Sequence, residues 1–194
     1  MKNKPALLVI DFINDIVNLE SKIANNAKYV ADHRVIQHAN QAIAIARELK
    51  IPIIFVKVGF EKGYPECPPN SPVFSAAKLH GVFQLGTWST DYHPDLDFRT
   101  DDISITKNRV SVFYSTNLEV ILHAQDIDTL ILTGVSSAMA IDHTARDAHD
   151  RDYNVIVLAD ACGAPDQARQ DAAMLLLQHI GQVIKVSELK GELA

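Results

Sequence analysis

Two side chains in this sequence stand where acid–base chemistry is feasible. Asp11 follows the apolar run 6–10, and Lys107 follows the weaker apolar run 103–106. A carboxyl group at the end of a buried strand is partly desolvated, which raises its pKa, whereas a neighbouring ammonium group lowers it. Asp11 and Lys107 therefore suggest a tuned acid–base pair in a cleft. An ion pair that only ties two strand ends together is the alternative interpretation.

The segment from Gly134 to Ala140 offers a second kind of chemistry. Its sequence, GVSSAMA, is typical of a strand end, a tight turn and the start of a helix. Ser136 or Ser137 can cap that helix, and the backbone N–H groups of its first turn then point into the cleft. Such N–H groups can hold an anion or a developing oxyanion. A capped helix start without any ligand is the alternative.

Alternating strands and helices must position these residues. The pattern predicts strands at 6–10, 51–58, 103–106, 129–134, 155–158 and 183–186, and helices at 32–50, 117–124, 138–150 and 165–180. Strands separated by helices imply parallel pairing through right-handed crossovers, so one three-layer α/β/α domain is expected over 1–194. Ligands of such sheets bind beyond the carboxyl ends of the strands, here at 11, 107, 134–137 and 160.

The segment 59–100 interrupts this alternation. It is rich in Pro, Gly, aromatic residues and His, and it shows little regular periodicity. A stretch this long within one domain is usually a lid or a binding loop, and an oligomer contact is an equal alternative. A large apolar patch is normally buried by the same chain or by a partner, so we expect a homo-oligomer. The residues that suggest the patch are Phe74, Val82, Phe83, Leu85 and Trp88.

Composition excludes several classes of partner. The formal net charge is -6 and no two Lys or Arg residues are adjacent, so neither a nucleic acid nor an anionic membrane surface is expected to bind. The two cysteines, Cys67 and Cys162, are too few for a disulfide framework or a cysteine-based zinc site. With no signal peptide or membrane span in the pattern, we expect a cytoplasmic protein that acts on a small molecule.

Five segments together resemble a known family. They are Ala6–Asp15, Lys107–Leu118, Thr133–Ala148, Asp152–Val155 and Asp160–Cys162, which read ALLVIDFIND, KNRVSVFYSTNL, TGVSSAMAIDHTARDA, DYNV and DAC. In this order and spacing the chain resembles the isochorismatase-like hydrolases, also called the cysteine hydrolase or nicotinamidase superfamily. The resemblance covers nearly the whole chain.

The resemblance implies a fold and a set of site residues. The fold is a six-stranded parallel sheet with strand order 3-2-1-4-5-6. The catalytic triad of the family is Asp, Lys and Cys, which places Asp11 and Lys107 in the site and puts Ala140 at the position of the nucleophilic Cys. A non-proline cis peptide, here Val135–Ser136, would direct the amides of Ser136 and Ala140 at an oxyanion. Ser136, Ser137 and Ala140 are thus the candidate oxyanion and substrate-binding residues.

No other side chain stands out as a replacement nucleophile. Cys67 lies in the loop ECPP, Cys162 matches a non-catalytic position of the family, and no His is close in sequence to activate Ser137. His143 lies one helical turn beyond Ala140, where packing or subunit contact is the usual role. Nicotinamidases of the family hold a metal with an Asp-x-His pair after the second strand, a pair that is missing from 57–62. We therefore expect no catalytic metal and no cofactor.

These observations favour a hydrolase that uses no covalent Cys nucleophile. The resemblance includes isochorismatase itself, in which an acid protonates the enol carbon of a vinyl ether and water attacks the resulting oxocarbenium ion. Asp11, assisted by Lys107, would be the acid–base group. Ser136 replaces a bulky aromatic residue of true isochorismatases and Val58 replaces a Gln, which leaves the substrate open. The alternatives are a Cys-dependent amidase whose nucleophile at position 140 was changed to Ala, and a non-catalytic small-molecule binder.

Overall fold

Six parallel strands form the centre of the protein, whose residues 4–193 are described by a computed structural model. The neighbours in the sheet follow the order β3-β2-β1-β4-β5-β6, and every neighbouring pair is parallel. This confirms the expected sheet and its strand order. The strands are β1 (Pro5–Ile10), β2 (Ile53–Val58), β3 (Ile103–Lys107), β4 (Thr129–Val135), β5 (Asn154–Gly163) and β6 (Gln182–Ile184).

Helices cover both faces of this sheet. They are α1 (Asn14–Val17), α2 (Ala27–Asp32), α3 (Val35–Glu48), α4 (Ala77–His80), α5 (Leu118–Ala124), α6 (Asp142–His149), α7 (Gln167–Leu177) and α8 (Leu189–Glu192). A π-helical turn, Ser137–Ile141, leads into α6, and 3-10 turns span Trp88–Thr90 and Val186–Glu188. The helix expected over 32–50 is interrupted at Arg34, whose positive φ of 54° separates α2 from α3.

The alternating side chains of β1 explain the two apolar layers. Leu8 and Ile10 belong to the core shared with α5, α6 and α7, whereas Leu7 and Val9 belong to the core shared with α3. All four side chains are fully buried. A central parallel strand that is covered on both faces requires such a continuous apolar run.

The close approach of β1 and β4 depends on a glycine. Gly134 pairs with Ile10, and a Cβ at position 134 would lie 2.3 Å from the Ile10 carbonyl oxygen. Its φ of 151° is also one that side-chain-bearing residues rarely adopt. Gly134 therefore allows the end of β4 to pack directly against β1, just before the turn at 136–141.

The fifth strand is longer than the sequence pattern predicts. It continues past 158 to Gly163, so Asp160 lies within β5 and not at its tip. The Asp160 carboxylate accepts a hydrogen bond of 2.9 Å from the backbone N–H of Val186. Asp160 thus stabilises the segment after β6, and it is not one of the residues at the candidate site.

The segment 59–100 packs against the rest of the chain. Backbone bridges join Phe60 to Gln84 and Ile13 to Tyr92, and Phe60, Tyr64 and Phe74 form a small third core. This core accounts for much of the apolar patch, although Trp88 remains 44% exposed. A homo-oligomer therefore stays a prediction. Within residues 4–193, no helix is both long and apolar enough to cross a membrane.

Candidate active site

The strand register brings Asp11 and Lys107 together. Lys107 pairs with Val58 at the end of β2, and Asp11 follows Ile10 at the end of β1 on the other side of that strand. The Asp11 carboxylate bridges the gap: its Oδ1 accepts from the Val58 N–H at 2.8 Å, and its Oδ2 accepts from Lys107 Nζ at 2.7 Å. Lys107 Nζ also donates to the Arg109 carbonyl at 3.2 Å.

Burial dominates the electrostatics of this pair. Asp11 is 3% exposed and Lys107 is 2% exposed. Burial raises the pKa of Asp11, and the charge and hydrogen bond of Lys107 together with the Val58 N–H offset only part of that rise. Asp11 thus holds a proton more readily than an exposed aspartate does, which is the property of a general acid.

A sharp turn places Ala140 at the end of β4. The Val135–Ser136 peptide is cis, as the resemblance implies, and the Ser136 carbonyl accepts backbone hydrogen bonds from Met139 at 3.1 Å and Ile141 at 3.2 Å. Ala140 is buried in the π-helical turn. No side-chain cap is formed at the start of this turn in the described structure, so the expected capping by Ser136 or Ser137 is wrong.

Ser137 holds the turn against the sheet. Its hydroxyl lies 2.6 Å from Gln170 Oε1 and 3.0 Å from the Gly163 carbonyl oxygen. Gln170 in turn donates from Nε2 to the carbonyls of Ala159, at 3.1 Å, and Cys162, at 3.3 Å. The Ser137 side chain is fully buried in this network, which ties it to Gln170 of α7.

A cavity of about 310 Å³ opens at these strand ends. Four of the five candidate site residues line it, namely Asp11, Lys107, Ser136 and Ala140, and Ser137 does not. The remaining lining residues are Asp15, Ile16, Ile23, Asn25, Asn26, Val58, Val73, Phe74, Phe83, Val110, Val135, Met139 and Pro165. The segment 59–100 therefore contributes a wall of the cavity through Val73, Phe74 and Phe83.

The residues directly after Asp11 hold that wall. Asp15 Oδ2 accepts from the Phe83 N–H at 2.8 Å, and Asn14 Nδ2 donates to the Trp88 carbonyl at 2.9 Å. The backbone N–H of Asn14 also donates to the Asp91 carbonyl at 3.0 Å. The sequence analysis missed Asp15 as a site residue, although its motif FIND lies within the first segment of the resemblance.

The alternative nucleophiles lie elsewhere. Cys67 Sγ donates to the Phe74 carbonyl at 3.1 Å, and His143 Nδ1 lies 3.0 Å from the Met139 carbonyl oxygen. Burial raises the pKa of the Cys162 thiol to about 12. None of these three is among the residues that line the cavity in the described part of the chain.

No metal centre is evident in the described structure. Between residues 4 and 193, no three His, Cys, Asp or Glu side chains come together in a group that could hold an ion. The expectation that catalysis uses no metal stays a prediction.

A three-layer α/β/α sheet with a buried acid–amine pair at its carboxyl edge defines the site of a small-molecule enzyme. The Isochorismatase domain model matches residues 5–188. The chain therefore belongs to the isochorismatase family, whose members are hydrolases that act on small molecules.

Similar sequences and a similar crystal structure support this assignment. The isochorismatase family protein YecD of Escherichia coli O157:H7 is 31% identical over 95% of this chain and 93% of its own. The ureidoacrylate amidohydrolase RutB of Pseudomonas savastanoi is 28% identical over 94% of this chain and 81% of its own. The crystal structure of an isochorismatase family protein from Desulfovibrio vulgaris shares the fold, with a TM-score of 0.88 at 21% identity over 98% of both chains.

Proposed function

We propose that this protein hydrolyses a small molecule without forming a covalent enzyme intermediate, with Asp11 as the acid–base group and Lys107 as its partner. The observation that carries the proposal is Ala140, which lines the cavity together with both residues. In the resemblance to the cysteine hydrolases, position 140 belongs to the nucleophile. A methyl group cannot attack a carbonyl carbon, so acyl-enzyme chemistry has no nucleophile at that position.

The described lining provides no activated replacement. Ser136 carries the only hydroxyl group among the cavity residues within 4–193, and no His lines the cavity to accept its proton. A serine hydroxyl is a weak nucleophile without an adjacent base. Water is therefore the nucleophile in the proposed reaction, and the catalytic contribution of the protein is proton transfer.

The proposed reaction is the opening of a vinyl ether. Protonated Asp11 transfers its proton to the enol carbon, which leaves an oxocarbenium ion and an Asp11 carboxylate. The Lys107 ammonium group stabilises that carboxylate at 2.7 Å. Water then adds to the cation and the resulting hemiketal collapses to a carbonyl compound and an alcohol. The proton released by the water returns to Asp11, so the net reaction consumes one water molecule.

Hydrolysis of an enol ether probe in D₂O tests this mechanism. We expect one deuterium atom at the former enol carbon of the product, because carbon protonation is the first step. Turnover should fall as the pH rises through the raised pKa of Asp11, since the acid must hold its proton. General acid catalysis contributes about 10²–10⁴-fold, so Asp11→Asn should lose turnover by that factor and still bind ligand.

Matched variants separate water attack from nucleophilic catalysis. Ser136→Ala and Cys67→Ser should keep most of the wild-type turnover, and iodoacetamide should not inhibit it. A rate that rises with pH through the ionisation of Asp11 contradicts the acid role. Loss of turnover in Cys67→Ser together with inactivation by iodoacetamide would identify Cys67 as the nucleophile.

A Cys-dependent amidase is the second candidate function. It is favoured by the relative RutB, which is named an amidohydrolase, and by the presence of Asp11, Lys107 and the Ser136–Ala140 turn around one cavity. The Ala140→Cys variant tests it with primary amide probes. An acyl adduct on Cys at position 140, seen by intact mass, with amide turnover that the parent chain lacks, would favour this candidate over the vinyl ether reaction.

A further inference from the structure

We propose that Asp15 makes this cavity selective for substrates that carry a hydrogen-bond donor, uncharged or cationic, and against substrates that carry a carboxylate. The inference deepens the proposed function, on which it relies only to place the reacting bond beside Asp11. The charges at the cavity and the acceptor sites of Asp15 support it.

The ammonium group at the cavity is already hydrogen-bonded. Lys107 Nζ lies 2.7 Å from Asp11 Oδ2 and donates a second hydrogen bond to the Arg109 carbonyl, which uses two of its three donors. Over residues 4–193, the lining includes no Arg, no His and no further Lys. Carboxylate ligands are commonly bound by bidentate Arg, and this cavity offers none.

Asp15 adds a negative charge with spare acceptor capacity. The residue lies on α1, one turn after Asp11, and is 5% exposed. Its Oδ2 accepts from the Phe83 N–H at 2.8 Å, and its Oδ1 lies 3.4 Å from the Ser21 hydroxyl. A carboxylate has about four acceptor sites, so a ligand donor can still be bound.

The repulsion of an anion follows from the same group. Two like charges about 6 Å apart, at an effective dielectric constant of about 20, repel strongly enough to weaken binding roughly 100-fold. A ligand carboxylate in contact with the Asp15 side of the cavity meets this repulsion. A ligand ammonium group gains from the same field, and an uncharged N–H donor keeps the hydrogen bond.

Asn26 adds an uncharged polar side chain to the same wall. It lines the cavity with Asp15, and its Oδ1 is buried without a hydrogen-bond partner in the described part of the chain. Phe74 and Phe83 also line the cavity and give it apolar surface. The cavity therefore fits a small apolar body that bears N–H donors.

Binding of three matched probes tests the inference. Benzylamine, benzamide and benzoate share a phenyl ring and differ in charge and donors. Titration calorimetry on the full chain at pH 7.5 should show benzylamine and benzamide binding at least tenfold more tightly than benzoate. Asp15→Asn should weaken benzylamine about tenfold or more and should not weaken benzoate. Asp101→Asn, which removes a charge from an exposed residue outside the cavity, should change none of the three affinities.

A second variant keeps the test independent of how well Asp15→Asn folds. Asn26→Asp adds a carboxylate to the same wall, and it should widen the preference for benzylamine over benzoate by about tenfold. Benzoate binding as tightly as benzylamine to the parent chain, or a ratio of the two affinities that changes in neither variant, would overturn the proposal. Binding needs no turnover, so the expected order in a chain that hydrolyses no vinyl ether would contradict the proposed reaction and leave the selectivity standing.

Discussion

Replacing Lys107 with Met removes the positive partner of Asp11 and keeps a long unbranched side chain in its place. Both members of the pair are almost fully buried, and Lys107 makes hydrogen bonds to Asp11 and to the Arg109 carbonyl. Removing one partner of a buried ion pair costs about 3–5 kcal/mol, because the remaining charge is left uncompensated. We expect Lys107→Met and Asp11→Asn each to lower the free energy of unfolding by that amount at pH 8.

The pKa of Asp11 gives this prediction a definite pH dependence. Burial already raises that pKa in the parent chain, and removal of Lys107 eliminates the largest of the effects that lower it. A folded-state pKa above the unfolded value means that the folded state binds more protons, so stability falls as the pH rises through the folded pKa. The loss in free energy of unfolding caused by Lys107→Met should therefore be smaller at pH 5 than at pH 8.

Urea unfolding of a double-mutant cycle measures the pair. The double variant Asp11→Asn/Lys107→Met has no buried charge at this site, so its loss should fall short of the sum of the single losses by about 3 kcal/mol. Lys4→Met, which breaks an exposed ion pair with Asp126, is the control and should cost at most about 1 kcal/mol. Strictly additive single losses, or a Lys107→Met variant as stable as that control, would refute the reasoning.

Four further predictions concern the turn, the wall and the assembly. Ser137→Ala should cost about 1–3 kcal/mol by denaturant unfolding, since it leaves the buried Gln170 Oε1 without a donor. Gly134→Ala should cost at least about 3 kcal/mol, because its Cβ meets the Ile10 carbonyl oxygen at 2.3 Å; a fully stable variant would contradict that clash. Cys67→Ser should leave ligand affinity in the cavity unchanged by calorimetry. Sedimentation should show an oligomer, and a lone 21.4 kDa species at micromolar concentration would argue against it.

The fold class was predictable because, in a parallel α/β protein, alternating apolar strands and amphipathic helices along the sequence already imply how the strands pair. Continuous apolar runs mark the central strands, and the strand order came from the resemblance. The end of β5 was not predictable in this way, because Asp160 interrupts the apolar run although the strand continues to Gly163. That aspartate is accommodated by a backbone N–H from after β6, a partner that only the tertiary structure supplies.

Some residues of the candidate site could likewise be predicted from the sequence, and others could not. Asp11 and Lys107 could be paired from the sequence, since both follow strands whose carboxyl ends share one edge of the sheet. The direction of Ser137 could not, because its buried partner Gln170 lies 33 positions away on α7. Asp15 and Asn26 could not be recognised as site residues because the one-turn helix α1 and the loop before α2 show no periodicity, and the wall forms only when segment 59–100 packs onto the residues after Asp11.

The hydrogen bonds that hold segment 59–100 affect how a ligand can enter the cavity. Moving Phe83 and Trp88 outward would break their hydrogen bonds to Asp15 and Asn14, which lie four and three residues after Asp11. We therefore expect segment 59–100 to remain in place as a wall of the cavity during turnover and not to open as a lid. Val73 and Met139 are the exposed apolar side chains of the cavity lining, and we expect ligands to enter beside them. Exposed side chains change rotamer within nanoseconds. The entrance should therefore limit the size of the ligand and should not add a slow opening step to binding.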